Sequence, residues 1–456
     1  MNGGLTWELC AQLNRGYAAL ADPPQILTDL FADGICVALA GASEAAPTLL
    51  RQRPPDCSGG NTTVFGSDET LPLLTAVRAN GAALHVLDYE PMWSPATHCI
   101  SPVLPALLGL AETRPDLNIS GAQLLRALAL GIEMQIRLRR ASGQLAPRDL
   151  TFHPPGIVGP LGAAFASGLV LGLDVSGLTH AVGIAASRAG SVLQNVGSMT
   201  KCLHCGAAAA DGLEAALLAE AGFRADPDAL SGPRGYLAAF FRETTSEDRL
   251  LENRPMAITD PGPAFKFYPS QYGTHFVIEA ALAARRAIPA GAHIRKGTIR
   301  CPQMPYVDRP IPDTGLTGKF SFQYVAAVAL LDGRVTIDSF TNQRRQAPDM
   351  DALLPRLQVK PEPHRALEFD EMCVDIEIET DHGLATGQCD GPPGFWGRPA
   401  PAERLREKAK DCLERAGARI GLLDKLLAVA GLDNPGLLAL IRSCASGFQS
   451  SSAAPF

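Results

Sequence analysis

Aromatic side chains are scarce in this chain, at 6% of its 456 residues, whereas glycine occurs 44 times and hydrophobic residues make up 46%. That balance argues against an aromatic-rich β-sandwich and for helices packed closely through small residues. A basic excess is also missing: 40 Lys and Arg face 47 Asp and Glu, for a net charge of −7. Such a chain advertises neither nucleic acid nor an anionic membrane as a partner. An anionic substrate would have to be drawn by a local cationic cluster working against the global field. The length implies two or three domains.

The eleven cysteines form no framework. Cys202 and Cys205 make one C-x-x-C, with no second pair and no H-x₃-H to complete the roughly four ligands that zinc takes. No metal site is expected, and reduced thiols point to a cytoplasmic protein. The N-terminus, M-N-G-G-L-T-W-E-L-C, lacks a basic region followed by an apolar core, so no secretory signal is expected. Internal repeats are absent. One long uncharged run, P-P-G-I-V-G-P-L-G-A-A-F-A-S-G-L-V-L-G-L, lies between His153 and Asp174. Its prolines and small residues mark a buried, closely packed helix rather than a membrane span.

Residues 1–45 read as helices, 51–69 as a polar connection with a short extended piece at Thr62–Phe65, and 71–87 as a further helix. Pro91 and Pro95 then exclude a continuous helix. Apolar periodicity resumes at Val103–Leu110 and Leu124–Ile136 and continues through 153–223. Pro255, Pro261 and Pro263 mark a boundary. Beyond it the spacing predicts a helix at Thr274–Arg286 and strands at 293–301, 334–340 and 371–380. A helix at 320–333 ends at Gly333, and 402–442 is amphipathic helix. The expectation is a helical domain over 1–262, an α+β domain over 263–398, a helical return over 399–445 and a disordered tail over 446–456.

The stretch Ser191–Phe223 carries the strongest chemical signal. Lys201 and His204 read as part of a polar loop, with a helix beginning near Ala207. A cation and an imidazole at a helix entrance suit a carboxylate or phosphate, because unpaired N–H groups gather there. Asp88, His98, His153, Lys266 and His275 lie beside similar glycine and proline punctuation on other segments. His and Lys without paired metal ligands suit an anionic acid and proton transfer. Lysine holds carboxylates, and imidazoles remove or return protons. The chemistry implied is C–H chemistry beside a carboxylate: dehydration, decarboxylation or epimerisation. Each residue alone is equally compatible with a solvated loop position or a satisfied core histidine.

Several blocks resemble the MmgE/PrpD family in order along nearly the whole chain. They are L-H-V-L-D-Y-E at 84–90, A-T-H-C-I-S-P-V-L-P-A at 96–106 and G-P-L-G-A-A-F-A-S-G-L-V-L-G-L-D at 159–174. G-S-M-T-K-C-L-H-C-G-A-A-A-A-D-G-L-E, K-F-Y-P-S-Q-Y-G-T-H at 266–275 and F-S-F-Q-Y-V-A-A-V-A-L-L-D-G at 320–333 complete the set. The resemblance implies a mainly α fold: a large all-helical domain from both ends of the chain, with an inserted α+β lid domain. It also implies a homodimer without metal or organic cofactor, acting as a lyase on a small di- or tricarboxylic acid. By position, Asp88, His98, His153, Lys201, His275 and Tyr324 would line the site, with His204 and Lys266 beside them. His98 would be the proton donor, Lys201 and His275 would grip carboxylates, and Tyr324 would reach in from the lid.

Within the family, W-S-P-A-T-H at 93–98 and the 320–333 block most resemble the cis-aconitate decarboxylases, so decarboxylation of cis-aconitate to itaconate is the leading expectation. A 2-methylcitrate-type dehydratase, an epimerase and a non-catalytic dimer remain alternatives. The chain departs from the family pattern at Glu90-Pro91-Met92, where two acidic residues and a threonine are usual. It departs also at Cys99, Cys202 and Cys205, where proline is usual. Met92 in place of a hydroxyl alters what the site can read.

Overall fold

The computed structural model describes residues 4–52, 59–418 and 421–445. As expected, the fold is mainly α with a small mixed sheet. Helices α1 (Leu5–Ala19), α2 (Gln25–Gly41), α3 (Ala45–Gln52), α4 (Leu73–Val86) and α5 (Ile100–Thr113) come first. They are followed by α6 (Gly121–Ala141), α7 (Pro154–Val170), α8 (Val175–Ala186), α9 (Thr200–Glu220) and α10 (Tyr236–Phe241). After these come α11 (Tyr272–Arg286), α12 (Gly315–Gly318), α13 (Phe322–Asp332), α14 (Asn342–Arg345) and α15 (Pro348–Leu353). The chain closes with α16 (Ala402–Arg415), α17 (Leu422–Leu427) and α18 (Asn434–Ser443). Two compact units result. The first holds the described residues within Met1–Val86, Glu90–Phe265 and Trp396–Phe456; the second holds Leu87–Tyr89 and Lys266–Phe395.

In the first unit α7 is the packing centre, meeting α5, α6, α8 and α9. Its start is set by Pro154 and Pro155, whose fixed φ and missing N–H suit the first helical turn. The uncharged run forms this helix, buried from Pro154 to Leu169. Small residues bring the helices close: a Cβ on Gly212 of α9 would stand 2.5 Å from the Pro160 carbonyl oxygen of α7. Helices α4 and α9 touch through glycines in the same way. A Cβ on Gly206 would lie 2.2 Å from the Arg78 carbonyl oxygen, and one on Gly81 would lie 2.9 Å from the Gly206 Cα. Elsewhere the caps are side chains: Ser120 and Gln123 form a capping box on α6, and Asp174 caps α8 through the Gly177 N–H. Helix α9 is long and apolar enough to cross a membrane by length and composition, and 67% of its most apolar window is buried inside the protein. A two-residue antiparallel pair, β1 (Thr62–Thr63) with β2 (Thr70–Leu71), completes the unit.

The second unit is built on a four-stranded sheet of β3 (Ile294–Cys301), β4 (Leu357–Pro361), β5 (Val374–Thr380) and β6 (Gly383–Cys389), in the order β4-β3-β5-β6. Strands β3 and β4 run parallel and the other pairs antiparallel. Val374, Ile376 and Ile378 alternate inward, as a one-faced sheet requires. Helix α11 covers β5 and β6, and α13 packs on α11.

Four readings from the sequence are corrected. The 334–340 segment is not a strand: Ile337–Phe340 is a 3₁₀ turn, because Thr336 and Ser339 close a capping box that outbids the β-branched residues. Strands β4 and β6 were not anticipated. The 402–442 helix is three helices, broken around Gly417 and Gly431. Lys201 and His204 lie inside α9 rather than in a loop before it, since Gly206 is a helix–helix contact and not a breaker. The tail at 446–456 and positions 53–58 of the polar connection lie outside the described residues.

Candidate active site

In the first unit two imidazoles meet one buried carboxylate, and two more continue the row. His85 ends α4, and the chain then turns so that Glu90 comes back against it. The His85 Nδ1 lies 2.5 Å from the Glu90 Oε1. Ser101, in the first turn of α5, donates its hydroxyl to the same oxygen at 3.1 Å. His98, just before α5, brings its Nδ1 to 3.4 Å of that atom. Glu90 and His85 are both buried, with exposures of 0% and 1%. The loop that carries His98 is pinned by backbone bonds between Met92 and Ala264 and between Trp93 and Thr97. The Trp93 Nε1 also donates to the Ala257 carbonyl at 3.1 Å.

The rings continue in a row. His85 meets His98 edge-on at 4.7 Å between centroids and His153 at 5.6 Å, and His153 meets His204 at 5.2 Å. His153 is the N-cap of α7, held by its N–H on the Ser191 carbonyl at 3.0 Å. Its Nδ1 lies 3.2 Å from the Nδ1 of His204. Burial, then His85 and Lys201 with the neighbouring imidazoles, pushes the His153 ring well below its ordinary range. The same causes lower His204 to about 4. Both rings are therefore neutral near pH 7, and at most one of the two facing Nδ1 atoms carries a hydrogen. Lys201, in the first turn of α9, supplies the cation that acts on both.

The second unit has its own buried polar group. Asp88 takes the left-handed backbone region at φ +54 and sets its Oδ1 2.5 Å from the Lys266 Nζ. The strap Leu87–Tyr89 is fixed there by two more bonds. Lys319 donates to the Leu87 carbonyl at 2.9 Å, and the Tyr89 hydroxyl donates to the Phe267 carbonyl at 3.3 Å. His275, in the first turn of α11, stands between the rings of Tyr268 and Tyr272 at 5.2 and 5.1 Å. Burial, then the charge of Lys266, lowers it well below its ordinary value, with Asp88 opposing. The Tyr268 and Ser270 backbone favours its charged form, yet neither ring nitrogen makes a hydrogen bond of good geometry.

Seven of the eight candidate residues thus fall in two groups. His98, His153, Lys201 and His204 gather in the first unit, and Asp88, Lys266 and His275 gather in the second. Tyr324 sits apart in the second unit's core. Its hydroxyl donates to the Ser339 carbonyl at 2.5 Å, its ring packs near Phe340, and burial raises its pKa. His85, Glu90 and Ser101 were not singled out from sequence. The available signal was Glu90 itself, a lone carboxylate inside the bulky run Y-E-P-M-W.

Single donor atoms of His85, Glu90 and His98 fall within 4.8 Å of one another, the one such grouping among the described residues. The shape is that of a hydrogen-bonded set. Two ligands each about 2.0–2.2 Å from one tetrahedral zinc stand roughly 3.3–3.6 Å apart, whereas His85 and Glu90 approach to 2.5 Å.

The chain matches the MmgE/PrpD N-terminal domain over residues 21–248 and the MmgE/PrpD C-terminal domain over residues 268–422. It belongs to the MmgE/PrpD family. It is 35% identical over 386 residues to the cis-aconitate decarboxylase of Mus musculus, covering 81% of this chain and 79% of that protein. The Homo sapiens cis-aconitate decarboxylase is 34% identical over 357 residues, 76% of this chain and 74% of its own length. The cis-aconitate decarboxylase of Aspergillus terreus (strain NIH 2624 / FGSC A1156) is 25% identical over 445 residues, 89% and 88% of the two chains.

Proposed function

We propose that this protein is a lyase that decarboxylates cis-aconitate, or a closely similar unsaturated tricarboxylate, with His98 as the proton donor. The reading is carried by one observation: His98 stands against a buried carboxylate, among neutral imidazoles and a lysine, in a chain 35% identical to a cis-aconitate decarboxylase. Lys201 serves as the cationic anchor for a carboxylate in the first unit. The substrate's C–C bond to the departing CO₂ breaks, and the electron pair delocalises over the remaining unsaturated acid. The allylic carbon then takes the proton from His98. With the His98 Nδ1 turned to Glu90, the donated proton is assigned to Nε2. A general acid positioned in this way supplies on the order of 10²–10⁴ in rate.

The test is incubation with cis-aconitate and a panel of di- and tricarboxylates in D₂O, followed by proton NMR. Itaconate carrying one solvent deuteron is the expected product, lost in His98→Gln. Loss of water from a citrate-like acid would instead make the protein a dehydratase. Deuterium entering an α-carbon without gas release would make it an epimerase. No turnover of any acid would leave the enzymatic reading without support.

A further inference from the structure

We propose that Glu90 is the positioning residue for the His98 proton donor, using one buried oxygen to align that ring and hold it in its cationic form. The proposal rests on the decarboxylase reading above. Three groups converge on the Glu90 Oε1: His85 at 2.5 Å and Ser101 at 3.1 Å are hydrogen-bonded to it, and the His98 Nδ1 stands 3.4 Å away as an ion-pair contact. A carboxylate so placed does two things to His98. It selects the tautomer with the Nδ1 hydrogen toward Glu90, so that Nε2 is the nitrogen presented to substrate. It also favours the charged ring, which is the form that can give a proton.

His85 competes for the same oxygen with its ring edge-on to His98 at 4.7 Å. Each decarboxylation consumes a proton, since a C–CO₂⁻ bond is replaced by C–H. The second imidazole on the same carboxylate, its ring 4.7 Å from that of His98, can restore that proton. The other ionisable groups facing this cluster are Asp33 of α2, His153 at the start of α7, and Lys201, His204 and the Cys205 thiol of α9.

Glu90→Gln tests this, because glutamine keeps the shape and an acceptor oxygen but removes the charge. The expected result is a kcat reduced at least tenfold with KM changed less than threefold. The alkaline limb of the kcat profile should move down by about one pH unit as the cationic donor loses its partner. Ser101→Ala, which removes one hydrogen bond to the carboxylate, should move the limb the other way, because the remaining charge then bears more on the two rings. A Glu90→Gln profile superimposable on the parent after scaling would overturn the proposal, whatever the size of the kcat loss.

A readout free of turnover separates this idea from the function. In protein with ¹⁵N-labelled histidine, at a pH alkaline enough for the ring to be neutral, the His98 signals, assigned by their loss in His98→Gln, should show the hydrogen on Nδ1 in the parent and a changed tautomer ratio in Glu90→Gln. An unchanged ratio would sink the positioning role even if itaconate is made. A changed ratio with no turnover of any acid would leave the role standing and remove the decarboxylase reading. If Glu90→Gln does not fold, Ser101→Ala carries both readouts alone, and no shift in either overturns the proposal.

Discussion

The Nδ1 atoms of His153 and His204 stand 3.2 Å apart, so at most one of them carries a hydrogen in that contact. Burial and the charge of Lys201 hold both rings below the ordinary imidazole range, His204 at about 4. In the unfolded chain both return to about 6.5. The unfolded state therefore binds more protons than the folded state across that interval. The stability tied to His204 is fully present above pH 6.5 and is lost as pH falls toward 4. Thermal melts of the parent between pH 7 and 4 should show this loss, and His204→Asn should flatten it. A parallel pH dependence in the two proteins would contradict the assignment.

A second buried pair fastens the returning C-terminal helix. Lys408 of α16 places its Nζ 2.7 Å from the Asp33 Oδ1 of α2, and both side chains are almost fully enclosed. Burial raises the Asp33 carboxyl more than Lys408 lowers it. Removing one partner from such a pair costs about 3–5 kcal/mol, because the other charge is stranded. Lys408→Met should lose this amount in urea denaturation near pH 7. The deficit should shrink on acidification, since the stranded carboxyl can then take a proton. Asp33→Asn combined with Lys408→Met should recover much of the loss. Equal stability of Lys408→Met and the parent would show that the pair contributes nothing.

The helical class was readable because small, apolar residues recur at helical spacing, and β3 and β5 because their residues alternate. What sequence could not show was competition between local signals. Thr336 and Ser339 carry a capping box inside a β-like string. Gly206 looks like a breaker until α4 is seen lying against it. The three residues Leu87–Tyr89 join the second unit through partners distant in sequence, among them Lys266, Phe267 and Lys319. The histidines were visible as candidates, but the oxygen that organises three of the polar groups was not. Its role depends on the chain returning from α4 to the start of α5, which no spacing rule contains.

The crossing of α4 and α9 is tight enough to be tested directly. A methyl at Gly206 would sit 2.2 Å from the Arg78 carbonyl oxygen, a backbone atom that cannot rotate away. Gly206→Ala should therefore cost about 1–3 kcal/mol, the range for overpacking. It should also shift Lys201 and His204, which lie in the same first turns of α9. Gly190→Ala is the control: nothing lies within 4 Å of the added carbon, and the change should fall within about 0.5 kcal/mol. Urea denaturation of the two variants side by side decides it, and equal costs would mean that the close crossing is relaxed in solution.

Asp88 and Lys266 offer the sharpest separation of charge from backbone. Asp88 occupies the left-handed region at φ +54, which aspartate and asparagine tolerate better than other side chains. Asp88→Asn therefore preserves the turn while removing the carboxylate 2.5 Å from the Lys266 Nζ. The loss should be about 3–5 kcal/mol, as for other buried pairs with one charge withdrawn. Asp88→Ala should cost more, since alanine adds backbone strain to the same missing charge. The His275 ring distinguishes the two partners, because Lys266 pushes its pKa down and Asp88 pushes it up. Lys266→Met should let His275 protonate at higher pH than in the parent, and Asp88→Asn should delay it to lower pH. NMR titration of that ring measures both directions, and movement in the same direction in the two variants would mean that His275 responds to loosened packing rather than to the two charges.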